Sequence, residues 1–92
     1  MNNTNKKCIK VCFNGETKRI KATESYESLL RLSKEAFGAD LEKVWPVKFY
    51  YLDDENELIS INSQSDLAEA ISIEDFNALK LTAAQNVTEA RR

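Results

Sequence analysis

The chain has no histidine, one proline, two glycines and two cysteines among its 92 residues. Without histidine it lacks the side chain most often used as a general base and the commonest metal ligand. It also lacks a run of about 18 apolar residues and the apolar segment of a secretory signal peptide. These absences argue against an enzyme. They predict a cytoplasmic protein, or a domain cut from one, that does not enter the membrane.

The composition that remains is that of one ordinary globular domain. The length fits a single domain, with 42% hydrophobic residues, 30% charged residues and a formal charge of −2. A chain of this size buries roughly two-thirds of its unfolded surface, which is enough for one core without a metal or a disulfide. We expect the domain at residues 7–84, between flexible tails at residues 1–6 and 85–92.

Alternating apolar residues, turns and helix caps divide the chain into seven elements. Asn14-Gly15 is a strong hairpin signal and places Lys10 opposite Arg19. The order β-β-α-β-β-α-β implies an α+β fold with a mixed sheet and a packed helix, an arrangement typical of the ubiquitin-like β-grasp. The pattern predicts strands at residues 8–13, 16–22, 47–52, 57–61 and 78–83, helices after Ser25 and Ser63, and a plain connection at 40–46.

The two cysteines and an acidic string each suggest a site that the spacing excludes. Cys8 and Cys12 lie about 13 Å apart along one strand, whereas a disulfide needs less than about 7 Å. We therefore interpret both as packing residues.

Asp53-x-Glu55-x-Glu57 alternates like a calcium loop, but the positions where an EF-hand needs glycine and its last glutamate hold leucine and glutamine. The sequence predicts no metal, no cofactor and no catalytic residue.

Charge is divided unevenly along the chain. Residues 1–22 carry six basic residues and one acid, whereas residues 49–79 carry eight acids and no base. This predicts two patches of opposite potential, although solvated faces of a globule would give the same counts. In the predicted hairpin Lys10 opposes Arg19, with Lys18 beside them. Because like charges placed opposite each other destabilise a hairpin, we expect an external anion to offset this repulsion.

The nature of that anion separates the candidate functions. Nucleic acid would supply phosphates, and a domain that binds it usually combines basic residues with stacking aromatic side chains. The one aromatic residue within residues 1–22 is Phe13, which belongs to the apolar face of its strand. Clustered carboxylates of a protein fit better, and the acidic stretch of this same chain provides such a cluster.

The acidic stretch resembles a known motif. Residues 49–67, FYYLDDENELISINSQSDL, are similar to the acidic OPCA motif of the Phox-and-Bem-one (PB-one) domain, and the resemblance of the whole chain extends over roughly residues 7–84. Asn56 stands where that family often has glycine, and Glu57 stands where aspartate is commoner. The resemblance implies acidic contacts at Asp53, Glu55, Glu57 and Asp66 and basic contacts at Lys10, Lys18 and Arg19.

The resemblance implies a protein-interaction module. A chain with both motifs is similar to type AB members, whose acidic face docks front to back on the basic face of another PB-one domain. The acidic stretch resembles those of autophagy cargo receptors and scaffolds, which implies homo-oligomers or heterodimers in scaffolding, signalling or selective autophagy. The implied partner is another PB-one domain, from the same or a different protein, with no nucleic acid and no membrane. Two alternatives stay open: a module that uses only its acidic face on a heterologous basic domain, and a nucleic-acid binder that uses its basic hairpin.

Overall fold

The computed structural model describes residues 8–73 and 79–91 of the chain. In the sheet that these residues form, the strand order is β2-β1-β5-β3-β4, with β1 and β5 parallel and the other neighbours antiparallel. This arrangement confirms the predicted α+β fold and its ubiquitin-like β-grasp order. In chain order the elements are β1 (Cys8–Phe13), β2 (Glu16–Lys21), α1 (Tyr26–Phe37), α2 (Ala39–Glu42), β3 (Lys48–Leu52), β4 (Leu58–Ile61), α3 (Gln64–Ile73), β5 (Lys80–Ala84) and α4 (Val87–Ala90).

The hairpin of β1 and β2 has the predicted turn and register. Asn14 and Gly15 form the turn with φ angles of 55° and 84°. Both angles lie in the left-handed region, as a two-residue hairpin loop requires. The register places Lys10 opposite Arg19, which confirms the predicted pairing.

Two short helices, α2 and α4, differ from the prediction. The sequence predicts a plain connection at residues 40–46, but Gly38 ends α1 at a φ of 65° and the chain turns back so that Leu41 is fully buried. The sequence predicts a flexible tail at residues 85–92, and α4 occupies part of it. Its cap is the Oδ1 atom of Asn86, which accepts a hydrogen bond from the following turn.

Two predicted segments include residues that the structure does not describe. The N-terminal tail at residues 1–6 lies outside the described residues, as does Ala78, the predicted first residue of the fifth strand. In the part of the chain that the structure does describe, no helix has the length and apolar character needed to cross a membrane.

The alternation of each strand gives the sheet two unlike sides. The side packed against α1 and α3 holds the hydrophobic core, and we call the opposite side the outer face. Both cysteines are free thiols and lie half-buried on the outer face. The buried core residues are Ile9, Val11, Ile20, Leu29, Leu41, Val47, Phe49, Tyr51, Ile61, Leu67, Ala70, Leu79, Leu81 and Ala83. The outer face carries Cys8, Lys10, Cys12, Arg19, Lys21, Lys48, Tyr50, Leu52, Lys80 and Thr82.

One polar side chain is buried in the core without a partner. Ser33 on α1 is 0% exposed, and among the described residues its Oγ has no hydrogen-bond partner. A buried hydroxyl that lacks a partner costs about 1–3 kcal/mol of folding free energy. Serine also has a lower helix propensity than alanine, so both effects act against Ser33.

We expect Ser33→Ala to stabilise the fold by about 1 kcal/mol, because it removes the unpartnered hydroxyl and improves helix propensity. In a domain of this size that gain raises the melting temperature by roughly 4–8 °C. Ser28→Ala, at a half-buried position of the same helix, is the matched control, since the Oγ of Ser28 is not a buried atom without a hydrogen-bond partner. Thermal unfolding measures both variants. If Ser33→Ala were less stable than Ser28→Ala, the expectation would be contradicted.

Candidate functional site

The turn between β3 and β4 brings together three of the four predicted acidic residues. Oδ1 of Asp53 accepts hydrogen bonds from the backbone N–H groups of Glu55, at 2.9 Å, and of Glu57, at 2.8 Å. Asn56 between them has a φ of 63°, a left-handed conformation that asparagine tolerates well. Asp53 therefore shapes the turn, while the side chains of Glu55 and Glu57 remain exposed.

The carboxylates of Asp53, Glu55 and Glu57 form what we call the acidic cluster. Each residue contributes one oxygen, and these oxygens lie within 4.8 Å of one another. Like charges at this distance repel, so the cluster favours binding of a cation. A metal ion, an ammonium group or a guanidinium group has the required charge, and the exposure of the cluster admits a group carried by another protein.

Asp66, the fourth predicted acid, is not part of the acidic cluster. It lies in the first turn of α3, where its backbone N–H donates to Oγ of Ser63 at 3.2 Å. Its Oδ2 accepts a hydrogen bond from the N–H of Asn62 at 3.1 Å. These bonds confirm the predicted cap at the start of this helix. Asp66 thus stabilises α3. The partner contact expected from the resemblance would be made by the same half-buried carboxylate.

The predicted basic residues divide between the two sides of the sheet. Lys10 and Arg19 are cross-strand neighbours on the outer face, and both side chains are exposed. Lys18 shares the orientation of the buried Ile20, which follows it by two residues and faces the helices. Its Nζ donates to the carbonyl oxygen of Ala36 at 2.7 Å. The expectation that Lys18 lies beside the other two cations is therefore corrected by the alternation of β2.

The outer face holds a further cation that no motif in the sequence indicates. β5 runs parallel to β1 and pairs Lys80 with Lys10. The side chain of Lys80 is exposed. No local pattern links these two residues, because their proximity depends on which strand lies beside β1. A correct strand order with its register is the one signal that could have revealed this pair.

The acidic and basic groups lie on different parts of the sheet and do not neutralise each other. The strand order places β2 and β1 on one side of β5, and β3 and β4 on its other side. Within the described residues the single ion pair joins Arg31 to Glu35, at 3.2 Å on the surface of α1. The acidic cluster and the cations of the outer face are therefore accessible to a second molecule.

Comparison with known families shows which class of protein presents these groups. The family model of the PB1 (Phox-and-Bem-one) domain matches residues 7–82, which confirms the family that the sequence resembles. The chain belongs to the PB1 domain family. The PB1 domain is a ubiquitin-like protein-interaction module rather than a known enzyme family, and PB1 domains typically bind other PB1 domains. Among curated proteins, a sequence search found no match.

In this PB1 domain, Lys18 is expected to stabilise the fold. Its ammonium group binds one of the last carbonyl groups of α1, which lack partners within the helix, and lies 5.6 Å from the ring centre of Phe37. Lys18→Met should lower the free energy of unfolding by about 1 kcal/mol, as measured by urea denaturation. Lys21→Met, on the outer face of the same strand, is the matched control and should change it by less than about 0.5 kcal/mol. Equal stability of the two variants would rule out this role.

Asp66 also affects the ionisation of Tyr26 at the start of α1. Burial raises the pKa of the Tyr26 phenol above its ordinary value of 10.0, and the nearby Asp66 carboxylate raises the pKa further. The folded chain therefore holds this proton more tightly than the unfolded chain does. The stability that results is present below pH 10.0 and is lost as the pH rises through the folded-state pKa.

Asp66→Asn should lower the pKa of Tyr26, because the amide retains an acceptor for the N–H of Asn62 but carries no charge. Tyrosinate absorbance during an alkaline titration measures this change, with Tyr26→Phe identifying the transition that belongs to Tyr26. Glu69→Gln, which removes an exposed acid from the same helix, is the control and should leave the titration unchanged. An unaltered pKa in the Asp66→Asn chain would show that the two groups do not interact.

Proposed function

We propose that this PB1 domain associates front to back, with the acidic cluster and Asp66 of one copy bound to the basic side of the next. The observation that carries the proposal is that one chain exposes both signs of charge on different parts of its sheet, with no ion pair between them among the described residues. Lys10 and Arg19 supply the basic side. A domain with both sides corresponds to type AB.

The geometry of such a contact determines whether the copies form open chains or closed rings. Because the two contacting surfaces differ, the interface is heterologous, and it generates open chains unless the rotation between copies closes a ring. Single exposed ion pairs contribute about 0.2–1 kcal/mol, whereas close pairs at an interface couple by about 1.5 kcal/mol or more. Several such pairs suit a micromolar affinity, about −8 kcal/mol. Salt should weaken the contact, since exposed charges are screened over roughly 10 Å at 0.1 M.

A cellular role follows from the resemblance of the acidic stretch. Residues 49–67 are similar to the corresponding segment of autophagy cargo receptors and scaffolds. We place this domain in cytoplasmic scaffolding, signalling or selective autophagy on that basis. The same two sides would support both homo-oligomers and heterodimers with other PB1 domains.

One observation favours a second function, in which the domain binds a partner only through its acidic side, which consists of the acidic cluster and Asp66. Lys18 binds Ala36 on the helix side of the sheet, so the predicted basic group loses one of its three members on the outer face. The partner would then be a heterologous PB1 domain with a basic side. Nucleic acid is a poorer ligand, because Tyr50, the aromatic residue that the described strands place on the outer face, is only 5% exposed and offers no surface for base stacking.

Sedimentation velocity over a wide concentration range, at low and high salt, tests front-to-back association. The mass should grow with concentration and fall in high salt. Lys10→Gln in one variant, and Glu55→Gln with Glu57→Gln in another, should each weaken self-association by at least about tenfold, because each removes close interfacial charge pairs. The two glutamates are the better choice on the acidic side, since Asp53 maintains the turn through backbone hydrogen bonds.

Two controls and one mixture complete this experiment. Lys48→Gln and Glu42→Gln remove exposed charges that belong to neither proposed side and should leave the mass distribution unchanged. An equimolar mixture of the acidic-side and basic-side variants should form a simple dimer, because each retains one intact side. A mixture that stays monomeric would contradict front-to-back association. A monomeric unmodified chain that nevertheless binds a basic PB1 domain through its glutamates would establish the second function instead.

A further inference from the structure

Three cations lie side by side across three neighbouring strands of the outer face. β1 pairs Lys10 with Arg19 of β2 on one side and with Lys80 of β5 on the other. Neighbouring strands are about 4.8 Å apart, so these three residues extend over roughly 10 Å. We call Arg19, Lys10 and Lys80 the cationic row.

The cationic row is exposed and unpaired within the described part of the chain. All three side chains are exposed, and the ion pair and side-chain hydrogen bonds of the described residues include none of them. Lys80 also borders a groove of about 320 Å³, and none of the described residues that line this groove is acidic. Like charges at cross-strand positions destabilise a sheet. The fold therefore carries a repulsion that a bound anion would relieve.

The acidic cluster has the same number of charges as the cationic row, in a more compact arrangement. One oxygen from each of its three carboxylates lies within 4.8 Å of the other two. Lysine has a flexible four-carbon stem, so its ammonium can move towards a target narrower than the spacing of the backbones, and the planar guanidinium of Arg19 can form a forked contact with one carboxylate. Three cations against three carboxylates allow a network in which each charge has a partner. Lys10 and Arg19 alone would leave one carboxylate unpaired.

We propose that Lys80 is the third cation of the basic side and that the acidic cluster of a second copy of this chain docks across the cationic row. This inference rests on the proposed front-to-back association and names the residues that form its basic side. It gives Lys80 the part that the linear motif assigns to Lys18, whose ammonium binds Ala36 on the other side of the sheet.

The test isolates a single contact by pairing two variants of the full chain. The chain with Glu55→Gln and Glu57→Gln presents an intact basic side, and the chain with Lys10→Gln, Arg19→Gln and Lys80→Gln retains only the acidic side. Isothermal titration calorimetry of one against the other at low salt yields the dissociation constant of one interface. Lys80→Gln is then added to the chain that retains the basic side, and the titration is repeated.

Lys80→Gln should raise the dissociation constant about tenfold, because it removes one close interfacial charge pair. The matched control is Lys48→Gln, an exposed lysine on the outer face but outside the cationic row, which should raise it less than about twofold. Since Lys80→Gln also relieves like-charge repulsion, it should maintain or raise the melting temperature, which distinguishes a lost contact from unfolding. Equal losses at the two lysines would overturn the inference, because net charge alone would then explain them.

Failure of this inference can be distinguished from failure of the proposed function. If Lys10→Gln in the basic-side chain weakens binding and Lys80→Gln does not, the front-to-back contact stands and Lys80 lies outside it. If the two parent variants do not bind each other at all, front-to-back association itself is wrong, and this inference falls with it.

Discussion

The parallel pairing of β1 with β5 is the constraint on which the rest of this molecule depends. It inserts β5 between the two hairpins, so the cations of the first hairpin and the carboxylates of the second lie on different parts of the sheet. Two strand spacings, roughly 10 Å, separate β1 from β3. If the hairpins were direct neighbours, their charges could pair within the chain. With β5 between them, the described residues contain no such pair, and neutralisation requires a second molecule.

On the acidic side, two of the residues that we propose to bind a partner also stabilise the local fold. Asp53 uses one carboxylate oxygen to accept two backbone N–H groups, and this closes the turn that presents Glu55 and Glu57. Asp66 acts in a similar way at the start of α3, where its Oδ2 accepts the backbone N–H of Asn62. Because these acids are required for local structure as well as for charge, their spacing is tightly constrained. This double requirement explains why the acidic stretch is more distinctive in sequence than the scattered basic residues.

Signals of short range predicted most of the fold. Asn14-Gly15 determines the register of the first hairpin, and Ser63 with Asp66 determines where α3 begins, since each acts on backbone groups within a few residues. The single-turn helices α2 and α4 escaped prediction because helices this short depend on tertiary contacts more than on propensity. The burial of Leu41 is one such contact. Nothing local could indicate it.

Two lysines of the candidate site, Lys18 and Lys80, were not placed correctly from the sequence, for different reasons. Alternation along β2 already implied that Lys18 shares the side of Ile20, whereas the hairpin interpretation placed Lys18 beside Lys10 and Arg19. Lys80 is the contrasting case, since its position beside Lys10 follows from a parallel pairing between the first and last strands. Contacts between residues so distant in sequence can be predicted only when the strand order of the whole sheet is known.

The same charges oppose folding of the isolated chain and favour its association. The cationic row and the acidic cluster each concentrate like charges, which raises the free energy of the folded chain on its own. The proposed docking of one group against the other would remove both repulsions, so a chain within such an assembly would be more stable than a free one by linkage. Small domains unfold with a free energy of only about 5–15 kcal/mol, so each side can hold a few like charges but not a long run of them. Three charges in the cationic row and three in the acidic cluster allow several cooperative ion pairs while leaving the isolated domain able to fold.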